Sequence, residues 1–185
     1  TKEMGKPITE SLAEIEKCAK LCDYYALNAE KQLEDKQIDT EAYKSYVSYE
    51  PIGVVLAVMP WNYPFWQVFR YAAPAIMGGN VSVLKHAPNT IGCAKAIENA
   101  FLEAGFPEGV FQQINIDIPQ VESVIASDIV HGITLTGSEM AGSSVAALAG
   151  KHIKKSVLEL GGSDAFIVLN DANCTGGSHG PSCCS

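Results

Sequence analysis

Apolar residues recur in steps of three and four along the first part of the chain, which predicts one face of an amphipathic helix. The set comprises Leu12, Ile15, Ala19, Cys22, Ala26, Ala29 and Leu33. Ser11 and Glu14 have the spacing of a capping box, so we expect the helix to begin there. Three heptads are too few for a coiled coil, and we expect a surface helix packed through this single stripe.

The rest of the chain alternates between strand and helix patterns. Residues 43–49 alternate like an exposed strand, and residues 52–59 are apolar on both faces, as in a central parallel strand. Helices are predicted at 64–76, 90–104 (closed by Gly105), 119–127 and 142–150, and strands at 81–84, 110–114, 129–135, 157–160 and 165–169. This order predicts an α/β fold with an open, doubly wound, mostly parallel sheet.

Charge and hydropathy narrow the class of partner. The 21 acidic side chains against 13 basic ones, a net charge of −8, disfavour nucleic acid and anionic membranes. Residues 1–10 are too polar for a signal peptide, and the longest apolar run, 52–59, is too short to span a bilayer. We therefore expect a soluble, cytoplasmic protein.

The six cysteines give no disulfide pattern. Cys18, Cys22 and Cys93 fall in helical patterns, where a thiol acts as a small hydrophobe. The other three crowd into residues 174–185, a stretch without periodicity that we expect to be a disordered or foreign tail. Its cysteines and His179 could be written as a zinc site. Adjacent cysteines strain a single tetrahedral ion, so we expect no metal.

Polar residues follow the strand ends, where sheets of this kind bind ligands. Asn62 follows the strand at 52–59 in a turn locked by Pro60 and Pro64, and its amide suits an oxyanion or caps the next helix. Lys85 follows the second strand, where it holds a ribose or phosphate or is an ordinary surface lysine.

Two further strand ends carry candidate groups. Gly137 and Ser138 form a turn between a strand and a helix, either an anion site or a simple N-cap, although no G-x-G-x-x-G motif is present. Glu159 is a lone acid between apolar neighbours. It is a candidate general base if buried, or an edge residue that faces water.

Five motifs occur in a fixed order: Pro-Trp-Asn-Tyr-Pro (60–64), Leu-Lys-His-Ala-Pro-Asn (84–89), Gly-Phe-Pro-Glu-Gly-Val (105–110), Thr-Gly-Ser-Glu-Met-Ala-Gly (136–142) and Leu-Glu-Leu-Gly-Gly-Ser-Asp (158–164). With them the chain resembles the aldehyde dehydrogenase superfamily, from its first residues to about Asn173. The last motif and the Lys-His-Ala-Pro variant are most similar to the succinate-semialdehyde dehydrogenase branch.

The resemblance implies a Rossmann-like NAD(P)-binding domain at 1–173, with 174–185 as a tail outside the family, in an enzyme that oxidises an aldehyde and forms a homo-oligomer. It implies that Asn62 supplies the side-chain half of an oxyanion hole and that Glu159 activates the water that hydrolyses a thioester. The cofactor residues that it implies are Trp61 and Ser138 at the pyrophosphate, Lys85 at the adenosine ribose, Gly142 for close helix packing and Leu160 beside the nicotinamide, together with Pro60 and Gly137.

Two departures from the family pattern matter. Pro88 stands where many NAD-preferring members carry a Glu for the ribose 2′-hydroxyl, so we expect no strict preference for NAD over NADP. The family's nucleophilic cysteine follows the Glu by roughly thirty-odd residues, a point past Ser185, and Cys183 and Cys184 come too early. We expect this chain alone to bind the cofactor without turnover. The alternative function is that of a non-catalytic nucleotide-binding or scaffold remnant.

Arg70 suggests the substrate class. It lies eight residues after Asn62, which predicts similar faces of one helix, among the apolar residues Phe65, Trp66, Phe69 and Ala73. A guanidinium in such surroundings needs an anion, and the resemblance implies that Arg70 holds the carboxylate of succinate semialdehyde. The alternative is that Arg70 snorkels into water.

Overall fold

The computed structural model describes residues 1–163, 165, 167 and 169, which form five α-helices, two short 3₁₀ helices and seven strands. The helices are α1 (Ile8–Leu33), α2 (Trp66–Met77), α3 (Ile91–Glu103), α4 (Val121–Ala126) and α5 (Glu139–Lys151), with 3₁₀ turns η1 (Pro88–Thr90) and η2 (Ile118–Gln120). The strands are β1 (Lys36–Gln37), β2 (Tyr46–Val47), β3 (Val54–Val58), β4 (Val81–Lys85), β5 (Phe111–Gln113), β6 (Val130–Gly137) and β7 (Lys155–Leu160).

Five of the strands form one parallel sheet in the order β5-β4-β3-β6-β7. The chain moves outward from β3 through β4 to β5, and then crosses back to β6 on the other side of β3. This reversal opens a crevice between the carboxyl ends of β3 and β6. Val58 is in register with both Lys85 and Leu135, so the turns that follow β3, β4 and β6 start at one edge of the sheet.

The sheet is covered on both faces, which confirms the doubly wound α/β prediction. Leu56 and Ala57 are fully buried neighbours on β3 that face opposite sides, since side chains alternate along a strand. One hydrophobic core lies between the sheet and helices α2 and α3, and it comprises Ala57, Met59, Val68, Ala72, Leu84, Ala94, Ile97, Phe101 and Phe111. The other hydrophobic core lies between the sheet and helices α4 and α5, and it comprises Leu56, Val121, Ile125, Val130, Ile133, Leu135, Val145 and Ala149. The apolar strand pattern of 52–59 thus reflects burial on both sides.

Two predictions about α1 are wrong. The helix begins at Ile8 rather than at Ser11, and Ser11 and Glu14 do not form a capping box because the carboxylate of Glu14 binds another helix. The buried residues of α1 are Glu14, Cys18 and Ala29, whereas most of the predicted stripe is exposed, including Leu12 and Ile15. Apolar periodicity correctly predicted the helix and gave the wrong packing face.

Other element bounds differ by a few residues. The strand expected at 43–49 is only Tyr46–Val47, paired antiparallel with the unpredicted strand Lys36–Gln37. Helix α5 begins at Glu139, three residues before the predicted start, because Ser138 caps it. The strand expected at 165–169 and the tail at 174–185 fall wholly or partly outside the described residues.

Neither a membrane-spanning helix nor a cluster of metal ligands is present among the described residues. No helix there has the length and apolar character that crossing a membrane requires. Nor do three or more His, Cys, Asp or Glu side chains in this part of the chain gather as metal ligands would. The zinc site considered for residues 174–185 lies outside the described residues.

Candidate functional site

An open groove lies at the crevice between β3 and β6. It is lined by Pro60, Trp61, Asn62, Gln67, Thr136, Gly137, Ser138, Glu159, Leu160 and Gly161. Seven of the ten site residues predicted from the sequence are in this set, brought together from three separate strand ends. Gln67 and Thr136 line the groove as well and had not been predicted. Thr136 directly precedes the Gly137-Ser138 turn, whereas Gln67 carries no local sequence signal.

Asn62 lies in an exposed turn before α2. Its Oδ1 accepts a hydrogen bond from the backbone N–H of Tyr63 at 3.1 Å, which leaves Nδ2 as the end of the amide not used in this contact. The alternative that Asn62 caps the next helix is wrong, since α2 begins at Trp66 with Phe65 as its N-cap residue. For the same reason Asn62 and Arg70 do not share a helix face.

The cap of α2 comes from α1. Oε1 of Glu14 accepts the backbone N–H groups of Phe65 at 2.8 Å and Trp66 at 2.9 Å. Its Oε2 accepts a hydrogen bond from Nζ of Lys6 at 2.6 Å, and both side chains are buried. Nζ of Lys6 also lies 3.6 Å from the ring centroid of Tyr63. Glu14 thus joins α1 and Lys6 to the start of α2.

Lys85 is not the ordinary surface lysine that the sequence left open. Its side chain is buried at the end of β4, where Nζ donates to the carbonyl oxygen of His86 at 3.1 Å. Burial lowers the pKa of Lys85 because desolvation disfavours the ammonium form. Lys85 lies outside the lining of the groove, on the neighbouring strand end.

His86 links the ends of β3 and β4. Its Nδ1 accepts the backbone N–H of Ala87 at 2.8 Å, so the ring proton sits on Nε2, which donates to the carbonyl oxygen of Pro64 at 2.9 Å. The hydroxyl of Thr90 lies 2.8 Å from Nδ1. His86 is almost completely buried, and this burial lowers its pKa below 6.5. The sequence had shown His86 only as part of a motif.

The lowered pKa of His86 predicts acid sensitivity. Well above pH 6.5 the His86 imidazole is neutral in both the folded and the unfolded chain. Below pH 6.5 the unfolded chain binds a proton at this imidazole, whereas the folded chain does not bind it until the pH reaches its lower pKa. Stability should therefore fall as the pH drops from 6.5 towards the lowered folded-state value, by up to about 1.4 kcal/mol per pH unit for one group. Urea unfolding at pH 7.5, 6.5, 5.5 and 5.0 measures this slope.

Two histidine variants isolate the contribution of His86. His86→Gln should be less stable at neutral pH and should lose most of the slope below pH 6.5. His131→Gln, at an exposed histidine, is the control and should retain the slope. An equal slope in wild type and His86→Gln would assign the acid sensitivity to other groups.

The β6–α5 turn is built around two small residues. Oγ of Ser138 accepts the backbone N–H of Ala141 at 3.2 Å, which confirms the N-cap interpretation. A Cβ added at Gly142 would overlap Cδ2 of Leu160, so helix and strand pack closely there. Beside the groove, a second opening at the N-terminus of α5 is lined by Ser138, Glu139, Met140, Gly161, Gly162 and Ser163. Backbone N–H groups at such a terminus favour an anion.

Glu159 and Arg70 form an ion pair at the groove. Of the two interpretations that the sequence left open for Glu159, the structure agrees with the edge residue: its side chain is 51% exposed, on a strand at the edge of the described sheet. Oε2 of Glu159 contacts Nη2 of Arg70, which also lies 3.4 Å from Oγ1 of Thr136. Thr136 and Glu159 are register partners on β6 and β7.

The surroundings of Arg70 differ from the prediction. Phe69 and Ala73 line a separate apolar pocket between α1, α2 and α3, together with Cys22, Tyr25, Ala26, Ile76, Met77, Ala100, Phe101, Ala104 and Phe106. Arg70 faces β6 and β7 instead. Its side chain is 35% exposed and pairs there with the carboxylate of Glu159.

The described cysteines are unsuited to nucleophilic attack. Burial raises the pKa of Cys18 and of Cys93 to about 12, and it raises the pKa of Cys22 as well. A raised pKa leaves little of the reactive thiolate at neutral pH. None of these three side chains lines the groove.

Comparison with known proteins gives the family. The model of the aldehyde dehydrogenase family matches residues 1–177. A probable succinate-semialdehyde dehydrogenase, NADP(+), from Synechocystis sp. is 56% identical over 173 residues, which are 94% of this chain and 38% of that protein. A succinate semialdehyde dehydrogenase, NAD(P)+, from Escherichia coli is 48% identical over 94% of this chain and 37% of its own length.

A solved structure shows the same fold. Succinic semialdehyde dehydrogenase from Streptococcus pyogenes, in complex with NADP+ as the cofactor, superposes with a TM-score of 0.90 at 45% identity. The match covers 94% of this chain and 38% of that one, so this chain spans well under half the length of the relatives it matches. The family match extends over nearly all of these residues and agrees with the motifs, the sheet order and the groove: the chain belongs to the aldehyde dehydrogenase family.

Proposed function

We propose that residues 1–173 are the dinucleotide-binding part of an NAD(P)-dependent aldehyde dehydrogenase that oxidises succinate semialdehyde to succinate. The observation that carries the proposal is the groove, which gathers Asn62, Ser138 and Glu159 from three strand ends at the switch point of the sheet. A neutral amide, an anion-binding helix terminus and a carboxylate are groups that this oxidation needs besides the attacking thiol. The relatives named as succinate-semialdehyde dehydrogenases support the substrate.

The residues present fit a bound dinucleotide. The opening along Pro60, Trp61 and Gly137 and the opening at the N-terminus of α5 share Ser138 in their linings, and neighbouring openings of this kind suit an extended pyrophosphate. Gly142 lets Leu160 approach α5 and border the groove, where we place the nicotinamide end. Lys85, at the adjacent strand end, is placed at the adenosine ribose. Bound NAD(P)+ accepts the hydride that leaves the substrate carbon.

The chain's own residues serve the steps around that hydride transfer. The Nδ2 donor of Asn62 stabilises negative charge on the aldehyde oxygen after a thiolate attacks the carbonyl carbon. Glu159 then accepts a proton from the water that hydrolyses the resulting thioester. Because the three described cysteines are poor nucleophiles outside the groove, we place the attacking thiol outside the described residues.

Arg70 suits a substrate that carries a carboxylate in addition to its aldehyde group. Its guanidinium lies at the groove and binds the carboxylate of Glu159, and both side chains of this ion pair are partly exposed. Exposed ion pairs contribute little stability, so a substrate carboxylate can replace Glu159 on Arg70 at small cost. We propose that succinate semialdehyde binds in this way and that the exchange frees Glu159 to act as a base.

Cofactor binding tests the proposal directly. The 185-residue chain should bind NADP+ and NAD+ with dissociation constants within about tenfold of each other, a gap of about 1.4 kcal/mol, since Pro88 offers a 2′-phosphate no negative charge. The same chain should oxidise no succinate semialdehyde at saturating cofactor. Calorimetric titration and absorbance at 340 nm measure the two results. Absence of binding by a folded chain would reject the proposed function.

The cofactor preference can be shifted at one position. Pro88 is exposed at the start of η1, three residues after Lys85, so Pro88→Glu places a carboxylate near the proposed ribose site. This variant should weaken NADP+ binding at least tenfold relative to NAD+. Asn89→Glu adds the same charge at the next exposed position and is the matched control. Equal effects of both variants would show only a long-range charge effect.

A further inference from the structure

The turn that carries Trp61 and Asn62 is fixed by residues from outside the groove. At its C-terminal end, Glu14 accepts the backbone N–H groups of Phe65 and Trp66. His86 donates from Nε2 to the carbonyl oxygen of Pro64 in the same turn. These bonds come from α1 and from the end of β4, which are remote in sequence from residues 60–66.

Glu14 is suited to hold the turn. Its side chain is buried, and a buried carboxylate is tolerated only where charge and hydrogen bonds satisfy it. Lys6 supplies the opposite charge at 2.6 Å, and the N-terminus of α2 supplies two N–H donors and a favourable dipole. A carboxylate with all these partners has little freedom, so the first residues of α2 have little freedom as well.

We propose that Glu14 is a positioning residue for the groove: its two hydrogen bonds fix the first residues of α2 and, with them, the turn that carries Trp61 and Asn62. Glu14 is not among the residues that line the groove or the opening at the N-terminus of α5. This inference rests on the proposed function, because it assigns the turn to cofactor binding and oxyanion stabilisation.

The test separates loss of the hydrogen-bond acceptor from loss of the ion pair. Glu14→Ala removes the acceptor for both N–H groups and should weaken NADP+ binding by the 185-residue chain at least tenfold, measured by calorimetry. The double variant Lys6→Met with Glu14→Gln removes both charges but keeps an amide oxygen for the two N–H groups. It should bind NADP+ within threefold of wild type, even if its melting temperature falls.

Backbone NMR gives a readout independent of the cofactor. The amide resonances of residues 61–66 should shift in Glu14→Ala and stay near their wild-type positions in the double variant. If Glu14→Ala does not fold, Glu14→Asp replaces it, because its carboxylate is one methylene short of the N–H groups. A wild-type chain that fails to bind NADP+ would reject the proposed function, and the amide shifts would still test the positioning.

Asn80→Ala controls for general destabilisation. Oδ1 of Asn80 accepts the backbone N–H groups of Ile52 at 2.8 Å and Gly53 at 3.2 Å. These two residues directly precede β3, at the amino-terminal end of the strand and away from the groove. This variant also loses two side-chain acceptor bonds, yet it should keep NADP+ affinity within threefold. Loss of affinity in Asn80→Ala as large as in Glu14→Ala would overturn the proposal. So would unchanged affinity and unchanged amide resonances in Glu14→Ala.

Discussion

In an enzyme that contains this segment, Glu159→Gln is expected to lower steady-state oxidation of succinate semialdehyde by about 10²- to 10⁴-fold, the usual contribution of a general base. The amide keeps the size of the side chain but accepts no proton from water. Thiol attack and hydride transfer precede that step, so one NADPH per active site should still form in a rapid burst. Stopped-flow absorbance at 340 nm distinguishes the burst from the slow phase that follows.

The chain offers a matched control for Glu159. Glu122 is also a part-exposed carboxylate in an ion pair, with Lys151 at 2.8 Å, and lies away from the groove. Glu122→Gln should leave both burst and steady state near wild type. If Glu159→Gln turns over at the wild-type rate, or loses the burst together with the steady state, Glu159 is not the base for hydrolysis.

Arg70→Gln should separate charged from neutral substrates. Loss of the guanidinium is expected to cost roughly 2 kcal/mol in kcat/KM for succinate semialdehyde, about 30-fold, because the carboxylate loses its charged partner. Butanal has the same chain length without the charge, so its kcat/KM should change by less than about threefold. Steady-state kinetics with both aldehydes give the comparison.

Lys151→Gln removes the same charge from the other ion pair and should affect neither substrate. The Arg70–Glu159 ion pair also predicts the behaviour of Glu159→Gln. This variant leaves Arg70 without its carboxylate partner, so its KM for succinate semialdehyde should not rise. Equal losses for both aldehydes in Arg70→Gln would make Arg70 structural, and the substrate would then rest on similarity to the relatives alone.

The sequence determined the architecture because the buried positions of each helix and strand appear as a periodic pattern of apolar residues. A strand covered on both faces must be apolar throughout, and residues 52–59 show this directly. The order of strands and helices then constrains the sheet to be parallel, since such connections cross over. Polar residues directly after those strands, such as Asn62 and Ser138, had to meet at one edge, and the groove contains both.

The tertiary structure decided which groups those residues contact. On α1 the apolar stripe predicted the wrong face, because Glu14 is buried against the N–H groups of α2 rather than exposed. The sequence left open whether Glu159 is buried or exposed, and the fold pairs it with Arg70 at an open edge. His86 had no signal of its own, yet it bonds Pro64 across 22 residues. Periodicity records which positions avoid water, whereas a polar side chain is satisfied by whichever partner the fold brings near, and no local pattern encodes that partner.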